Sequence, residues 1–237
     1  MKQVRDKTGR FKLRPHYEPI ELDRACEKVL TEFFRPTHGA IPIPIPTDDL
    51  TRLIERDTSD FDPGADLSAY GPDVEGVTLF RPGHKPQVKI SAELAYEERR
   101  ENRYRTTLTH EYGHVHFHAY LFDLEVSTGD LSARNLRPNT QVCKRDNMLA
   151  APISDWMEWQ AGYACGAFLM PISRLLETAQ AFTEDRGPTG PIVLGSQLAS
   201  ELIDLTRVTF SVSADAARVR LLQQRLIVRE ASVTLAG

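Results

Sequence analysis

Cysteine is scarce in this chain, with three in 237 residues, at Cys26, Cys143 and Cys165. An odd number at wide spacing argues against a disulfide framework, and no C-x-x-C pair is present to build a zinc ribbon. Long apolar runs are also missing. No segment approaches the eighteen or so residues needed to cross a bilayer, and no charged-then-apolar signal segment opens the chain. The expected location is therefore cytoplasmic, with no membrane partner. Internal repeats and low-complexity tracts are absent as well. The remaining composition, 41% hydrophobic and 26% charged with a net charge of −4, is that of a globular protein. Its length allows one large domain or two small ones.

Histidine is sparse too, yet four of the seven fall in ten residues, THEYGHVHFH, from Thr109 to His118. His110, Glu111 and His114 spell H-E-x-x-H inside a segment, about residues 103–121, whose periodicity is helical. Positions i and i+4 lie about 40° apart on a helix, so two imidazoles can reach one ion. Zinc accepts neutral imidazole at about 2.0–2.1 Å, and Glu111 beside the first ligand can take a proton from a water that the metal acidifies. Such a motif arises by chance in very roughly one chain of this size in a hundred. Leu108, Val115 and Phe117 give the helix apolar support, and Gly113 suits a close backbone approach.

A catalytic zinc site needs a third protein ligand, with the fourth position kept for water. Glu158, in DWMEWQAGYACGAFLMP, is the leading candidate, 44 residues beyond His114 on a second apolar helix. Small residues at Gly162, Cys165 and Gly166 would let that helix sit close to the first. Asp155 and Glu158 also match a capping-box variant, in which Glu158 merely ties down its own backbone. The residues alone leave these two roles open. His118, about 80° round the same face, could orient substrate, stabilise an oxyanion or contact a ligand from behind; it could equally be a histidine satisfied at the helix end. His116 and Tyr112 point away from the metal face. Cys143 could place a thiolate in the open zinc position or be an unreactive cysteine, and Lys144, Arg145 and Asp146 are candidates to line the cleft.

RTTLTHEYGHVHFH followed by EWQAGYACGAFLMP resembles the ImmA/IrrE family of metallopeptidases. That family reads approximately R-F-T-x-A-H-E-x-G-H-x-x-x-H, then E-x-x-A-N-x-F-A-x-x-L-L-M-P. The likeness spans about residues 20–185. It implies zinc held by His110, His114 and Glu158, with Glu111 as catalytic base, on a zincin-like core of the gluzincin type. It also implies a substrate, a helix-turn-helix transcriptional repressor cleaved to relieve repression. Gly162 stands where the family has Asn, and Cys165 and Gly166 replace part of F-A-x, so contacts behind the metal ligands are expected to differ.

The rest of the chain frames this site. Residues 1–20 carry six basic against two acidic side chains, a basic arm expected to be solvated and partly disordered. IELDRACEKVLTEFF predicts an amphipathic helix with Leu22, Ala25, Val29 and Phe33 inward. GAIPIPIP suits an extended edge segment, and Thr47 a helix N-cap. Residues 57–72 read as a loop, VEGVTLF and PQVKISA as a hairpin, and most of 122–153 as irregular. GPTGP at 187–191 marks a linker. Beyond it, FSVSADAARVRLLQQRL has Ser213 as N-cap, Ala217, Leu221 and Leu222 inward, and Arg218, Arg220 and Arg225 outward. This stretch also resembles the helix-turn-helix-like segment that follows the family's peptidase core. Its net charge over residues 200–237 is only about +1, so packing or docking is favoured over DNA binding.

The expected fold is α+β: a small sheet packed on helices including the H-E-x-x-H helix, as a peptidase domain over 21–186, preceded by the arm and followed by a helical region over 187–237. The alternative is a non-catalytic DNA-binding or protein-interaction regulator with a structural zinc.

Overall fold

The computed structural model describes residues 1–127, 139–144, 155–187 and 190–229. The basic arm is folded. β1 (Lys2–Arg5) and β2 (Leu13–His16) pair antiparallel, with Lys2 opposite His16 and Arg5 opposite Leu13. The Asp6 carboxylate closes the turn, accepting from the Thr8 amide at 2.9 Å and the Phe11 amide at 3.0 Å. Phe11 is then buried edge-on against Phe122 and Trp156, with Phe80 stacked on Phe122. One apolar anchor and one capped turn order a segment that its charges suggested was loose.

α1 (Pro19–His38) starts with a reciprocal capping box between Glu18 and Glu21, and ends at Gly39 in the left-handed region, φ 72°. Its buried face is Leu22, Asp23, Cys26, Val29, Leu30 and Phe34. The expected stripe is thus rotated: Ala25 and Phe33 lie at its margin, and an acid, Asp23, lies within it. No strand forms in the Ile-Pro repeat. α2 (Thr47–Asp57) follows, with Pro46 rather than Thr47 at the N-cap. The Thr47 hydroxyl instead donates to Glu101 at 2.8 Å and accepts from Arg105 at 3.0 Å.

The main sheet contains β3 (Asp60–Ala65), β4 (Val74–Phe80), β5 (Gln87–Ser91) and β6 (Asn139–Lys144), in the order β3-β5-β4-β6. β4 and β5 form the expected hairpin, with β6 antiparallel on the other side of β4. β3, in the stretch read as loop, pairs parallel with β5. It lies at an edge, where Pro63 costs no ladder bond on the open side. β4 is buried at all seven positions.

A short helix α3 (Ala92–Ala95) leads to α4 (Glu101–Ser127), which carries the histidines. α5 (Trp156–Leu169) packs along α4. At their closest point a Cβ on Gly113 would lie 3.1 Å from the Ala161 Cα, so the two helices touch through backbone, as the glycine implied. Cys165 joins the same seam, its thiol donating to the Thr106 carbonyl at 3.3 Å. Gly166 does not: a Cβ there would meet Arg220.

Beyond Pro171 come α6 (Ile172–Arg186), α7 (Gln197–Phe210) and α8 (Ala214–Gln223). Residues 188–189 of the expected linker lie outside the described residues. Ser213 caps α8 as its sequence predicts, accepting from the Ala216 amide at 3.1 Å, and Ala217 and Leu221 are buried. Arg220 corrects the outward assignment. It is 1% exposed and donates to Asp23 at 2.5 Å; Tyr163 (2.8 Å) and Gln224 (3.1 Å) donate to the same carboxylate. α8 is therefore fastened to α1 and α5 through a buried ion pair and its neighbours, in one hydrophobic core with α4 and α5. The fold is mixed α+β, as expected. Among the described residues no helix is long and apolar enough to cross a membrane.

Candidate metal centre

The middle of α4 runs between β4 on one side and α5 on the other, so every side chain from Thr106 to Val115 is buried. His110, Glu111, His114 and His118 are all 0% exposed. His110 and His114, four positions apart along this helix, converge on the first turn of α5. The His110 Nε2 lies 3.1 Å from Glu158 Oε2, the His114 Nε2 3.2 Å from Glu158 Oε1, and the two Nε2 atoms 3.2 Å from each other.

These separations test the fit to an ion directly. Ligand atoms about 2.05 Å from a zinc ion, at the tetrahedral angle, lie about 3.3 Å apart. The separation of the two Nε2 atoms is close to that value, and each imidazole approaches one oxygen of the Glu158 carboxylate, so His110, His114 and Glu158 form a buried group that could hold a metal ion. The capping alternative for Glu158 is settled by its neighbours. Asp155 caps α5, accepting the Glu158 amide at 3.5 Å, which leaves the Glu158 carboxylate to span the two imidazoles.

Electrostatics match a site built for a cation. Burial alone would raise the Glu158 pKa, but His114 and His110 hold it well below the usual carboxylate range. Burial alone would lower that of His114, yet the Glu158 carboxylate outweighs it and the net shift is upward.

The Glu111 carboxylate packs against β4. Its Oε2 accepts from the Thr78 hydroxyl at 2.5 Å, and its Oε1 has no hydrogen-bond partner among the described residues. The carboxylate lies directly under Gly76: a Cβ there would come within 2.4 Å of Oε1. Desolvation in this slot raises the Glu111 pKa, against the opposing fields of His114 and His110.

His118 stands behind the ligands. Its Nδ1 is 3.0 Å from the Nδ1 of His114 and its Nε2 is 3.1 Å from Gln160 Oε1, with Trp156 edge-on at 5.5 Å between ring centroids. These partners fit a contact behind His114 and a histidine satisfied by its own hydrogen bonds equally. Desolvation pushes the His118 pKa well down. Tyr112 points away from the site, as expected, and donates to Asp57 at 2.6 Å, while His116 is exposed. The backbone of Cys143 pairs with Gly76 on β4. Its side chain, that of Lys144, and all of Arg145 and Asp146 lie outside the described residues.

Three contributors escaped the sequence reading: Gly76, Thr78 and Gln160. Gly76 carried a usable signal, since a glycine inside a β-prone run marks close approach of another group. Thr78 and Gln160 carried none; a β-branched residue in a strand and an amide on a helix are ordinary there. A shallow cavity of about 420 Å³ lined by Thr8, Arg10, Asp155, Trp156 and Met157 opens where the hairpin turn meets the start of α5. Compared with known proteins, the chain matches no protein-family model and no curated protein sequence.

Proposed function

We propose that this chain is a zinc-dependent endopeptidase with a zincin-like core of the gluzincin type. The observation that carries the reading is the His110–His114–Glu158 triangle, with edges of 3.1–3.2 Å, and a buried glutamate one residue along the same helix. His110, His114 and Glu158 would hold the metal. A bound zinc ion supplies Lewis acidity, acidifying a water and polarising a peptide carbonyl. Glu111 would act as the proton carrier, accepting a proton from an attacking water and passing it to the departing amine. Burial raises its pKa from the ordinary carboxylate value, which makes it a better proton acceptor than an exposed glutamate. Thr78 and Gly76 fix the position of the carboxylate.

Resemblance to the ImmA/IrrE family supports the substrate class: a helix-turn-helix repressor in the cytoplasm, cleaved at one place. DNA binding by the chain itself is not favoured. Arg220, one of the few basic residues in the C-terminal helices, is consumed in the core by Asp23.

The test uses zinc-reconstituted wild type and Glu111→Gln against a proteome-derived peptide library and a panel of purified helix-turn-helix repressors, with new termini read by mass spectrometry. Cleavage by the wild type, reduced at least about a hundredfold in Glu111→Gln with zinc retained, is the expected result. Equal behaviour of the two proteins would favour the rival reading, a structural zinc in an interaction module.

A further inference from the structure

We infer that Glu75 is a positioning residue for Glu111: paired with Arg103 at the head of α4, it pins the register of β4 so that Gly76 and Thr78 meet the proposed base. The inference rests on the peptidase reading for the role of Glu111, though not for the placement of its carboxylate.

The alternation of β4 breaks once. Gly76 and Thr78 meet Glu111, and Phe80 stacks on Phe122, so these three face α4. Val77 and Leu79 point the other way, into an apolar cluster with Ala65 and Leu67. Strict alternation would send Val74 towards α4 and Glu75 into that outer cluster. The reverse is found: Val74 belongs to the outer cluster, and Glu75 reaches two arginines at the head of α4. The cause is a bulge. Val74 lies opposite Lys144 and Gly76 opposite Cys143, adjacent residues on β6, which leaves Glu75 as the extra residue. Such an insertion re-aims the side chain it carries. Here it turns an acid towards α4 and places a glycine immediately after it, where the Glu111 carboxylate enters.

Glu75 is 5% exposed, and a carboxylate buried to that degree needs a charged partner. The Arg103 Nε donates to it at 2.5 Å and the Arg100 Nη2 at 3.4 Å. If β4 slipped by one residue against α4, its side chains would exchange faces. Glu75 would then enter the outer apolar cluster without its cations, and the Val77 side chain would take the face that Gly76 and Thr78 now offer to Glu111. Fixing register is the best-attested use of a buried ion pair, because the wrong register strands a charge. Arg103 and Glu111 lie two turns apart on α4, and Glu75 and Thr78 three residues apart on β4. Strand and helix are therefore fastened at two points about 10–12 Å apart, one at the ion pair and one at the base.

The test is a double-mutant cycle on the full-length metal-free protein, with Glu75→Gln and Thr78→Val read by urea denaturation. If Glu75 holds Thr78 against Glu111, removing its charge already weakens that bond, and Thr78→Val then costs less. Its effect on the unfolding constant should shrink at least about threefold in the Glu75→Gln background. Arg103→Met removes the same contact from the helix side and should produce the same shrinkage, which keeps the test decisive if Glu75→Gln does not fold. Zinc-loaded Glu75→Gln should retain the wild-type metal content and lose about 10–100-fold in kcat on a peptide the wild type cleaves, with KM unchanged. A residue that only stabilises the fold would add its cost to that of Thr78→Val and leave kcat intact. The inference is overturned if Thr78→Val costs the same in all three backgrounds, to within about twofold, or if kcat is unchanged. Coupling in the cycle beside a zinc-loaded wild type that cleaves nothing would uphold the placement of Glu111 and overturn the peptidase reading.

Discussion

Gly76→Ala asks whether the sheet holds the proposed base in place. The new Cβ would lie 2.4 Å from Glu111 Oε1, 2.8 Å from Cδ and 2.9 Å from Cγ. Ordinary contact requires about 3.5 Å, so the carboxylate has to withdraw by about 1 Å. Neither backbone can yield easily: Gly76 is held between Ile90 on β5 and Cys143 on β6, and Glu111 sits in the middle of α4. Overpacking of this kind costs about 1–3 kcal/mol. Loss of the hydrogen bond from Thr78 adds about 0.5–1.5 kcal/mol, while replacing glycine in a strand returns about 0.5–1 kcal/mol. The net destabilisation expected is about 1–4 kcal/mol. The decisive assay is a double-mutant cycle by urea denaturation of the metal-free protein, with Glu111→Ala as the second change. In that background the clash and the bond are both gone, and Gly76→Ala should be neutral or stabilising by up to about 1 kcal/mol. If Gly76→Ala cost the same in both backgrounds, to within about 0.5 kcal/mol, the reasoning would be refuted.

Two further outcomes follow from burial. Because desolvation raises the Glu111 pKa from its ordinary 4.5, the folded metal-free protein keeps a proton that the unfolded chain has lost. The resulting stabilisation is present below about pH 4.5 and is lost as pH rises through the raised value. Glu111→Gln should therefore be more stable than the wild type at pH 8, with the gap closing on acidification; a pH-independent difference in denaturation midpoint would contradict this. Arg220→Met leaves the Asp23 carboxylate buried without its cation and should cost about 3–5 kcal/mol. Asp23→Asn combined with Arg220→Met should recover much of it, and chemical denaturation of the three variants would show otherwise if the losses simply add.

The centre of the site was legible because its chemistry is local. His110, Glu111 and His114 are placed by one helical period, and Gly113 announced the close approach of α5 by its lack of a side chain. Glu158 needed more: its spacing also fitted a cap, and only the packing of α5 on α4 shows which way its carboxylate turns. Long-range pairings explain most of the misses. Asp23 was passed over in α1 because an apolar stripe has no place for an acid, yet its partner Arg220 arrives from 197 residues away. Arg220 was placed outside for the same reason. β3 was hidden by Asp62, Pro63 and Gly64, residues that turn chemistry also uses and that an edge strand tolerates. The hairpin of β1 and β2 owes its order to Phe11, whose burial depends on Phe122 and Trp156 over a hundred residues on.

The most direct test of the account is zinc content by elemental analysis, on the wild type and Glu158→Ala reconstituted and desalted side by side. About one zinc per chain in the wild type and a large loss in the variant is the expected result, because removal of the carboxylate leaves two ligands where three are needed. A wild type that retains little zinc after reconstitution would contradict the metal centre itself. Equal zinc in both proteins would keep the metal and contradict Glu158 as its third ligand.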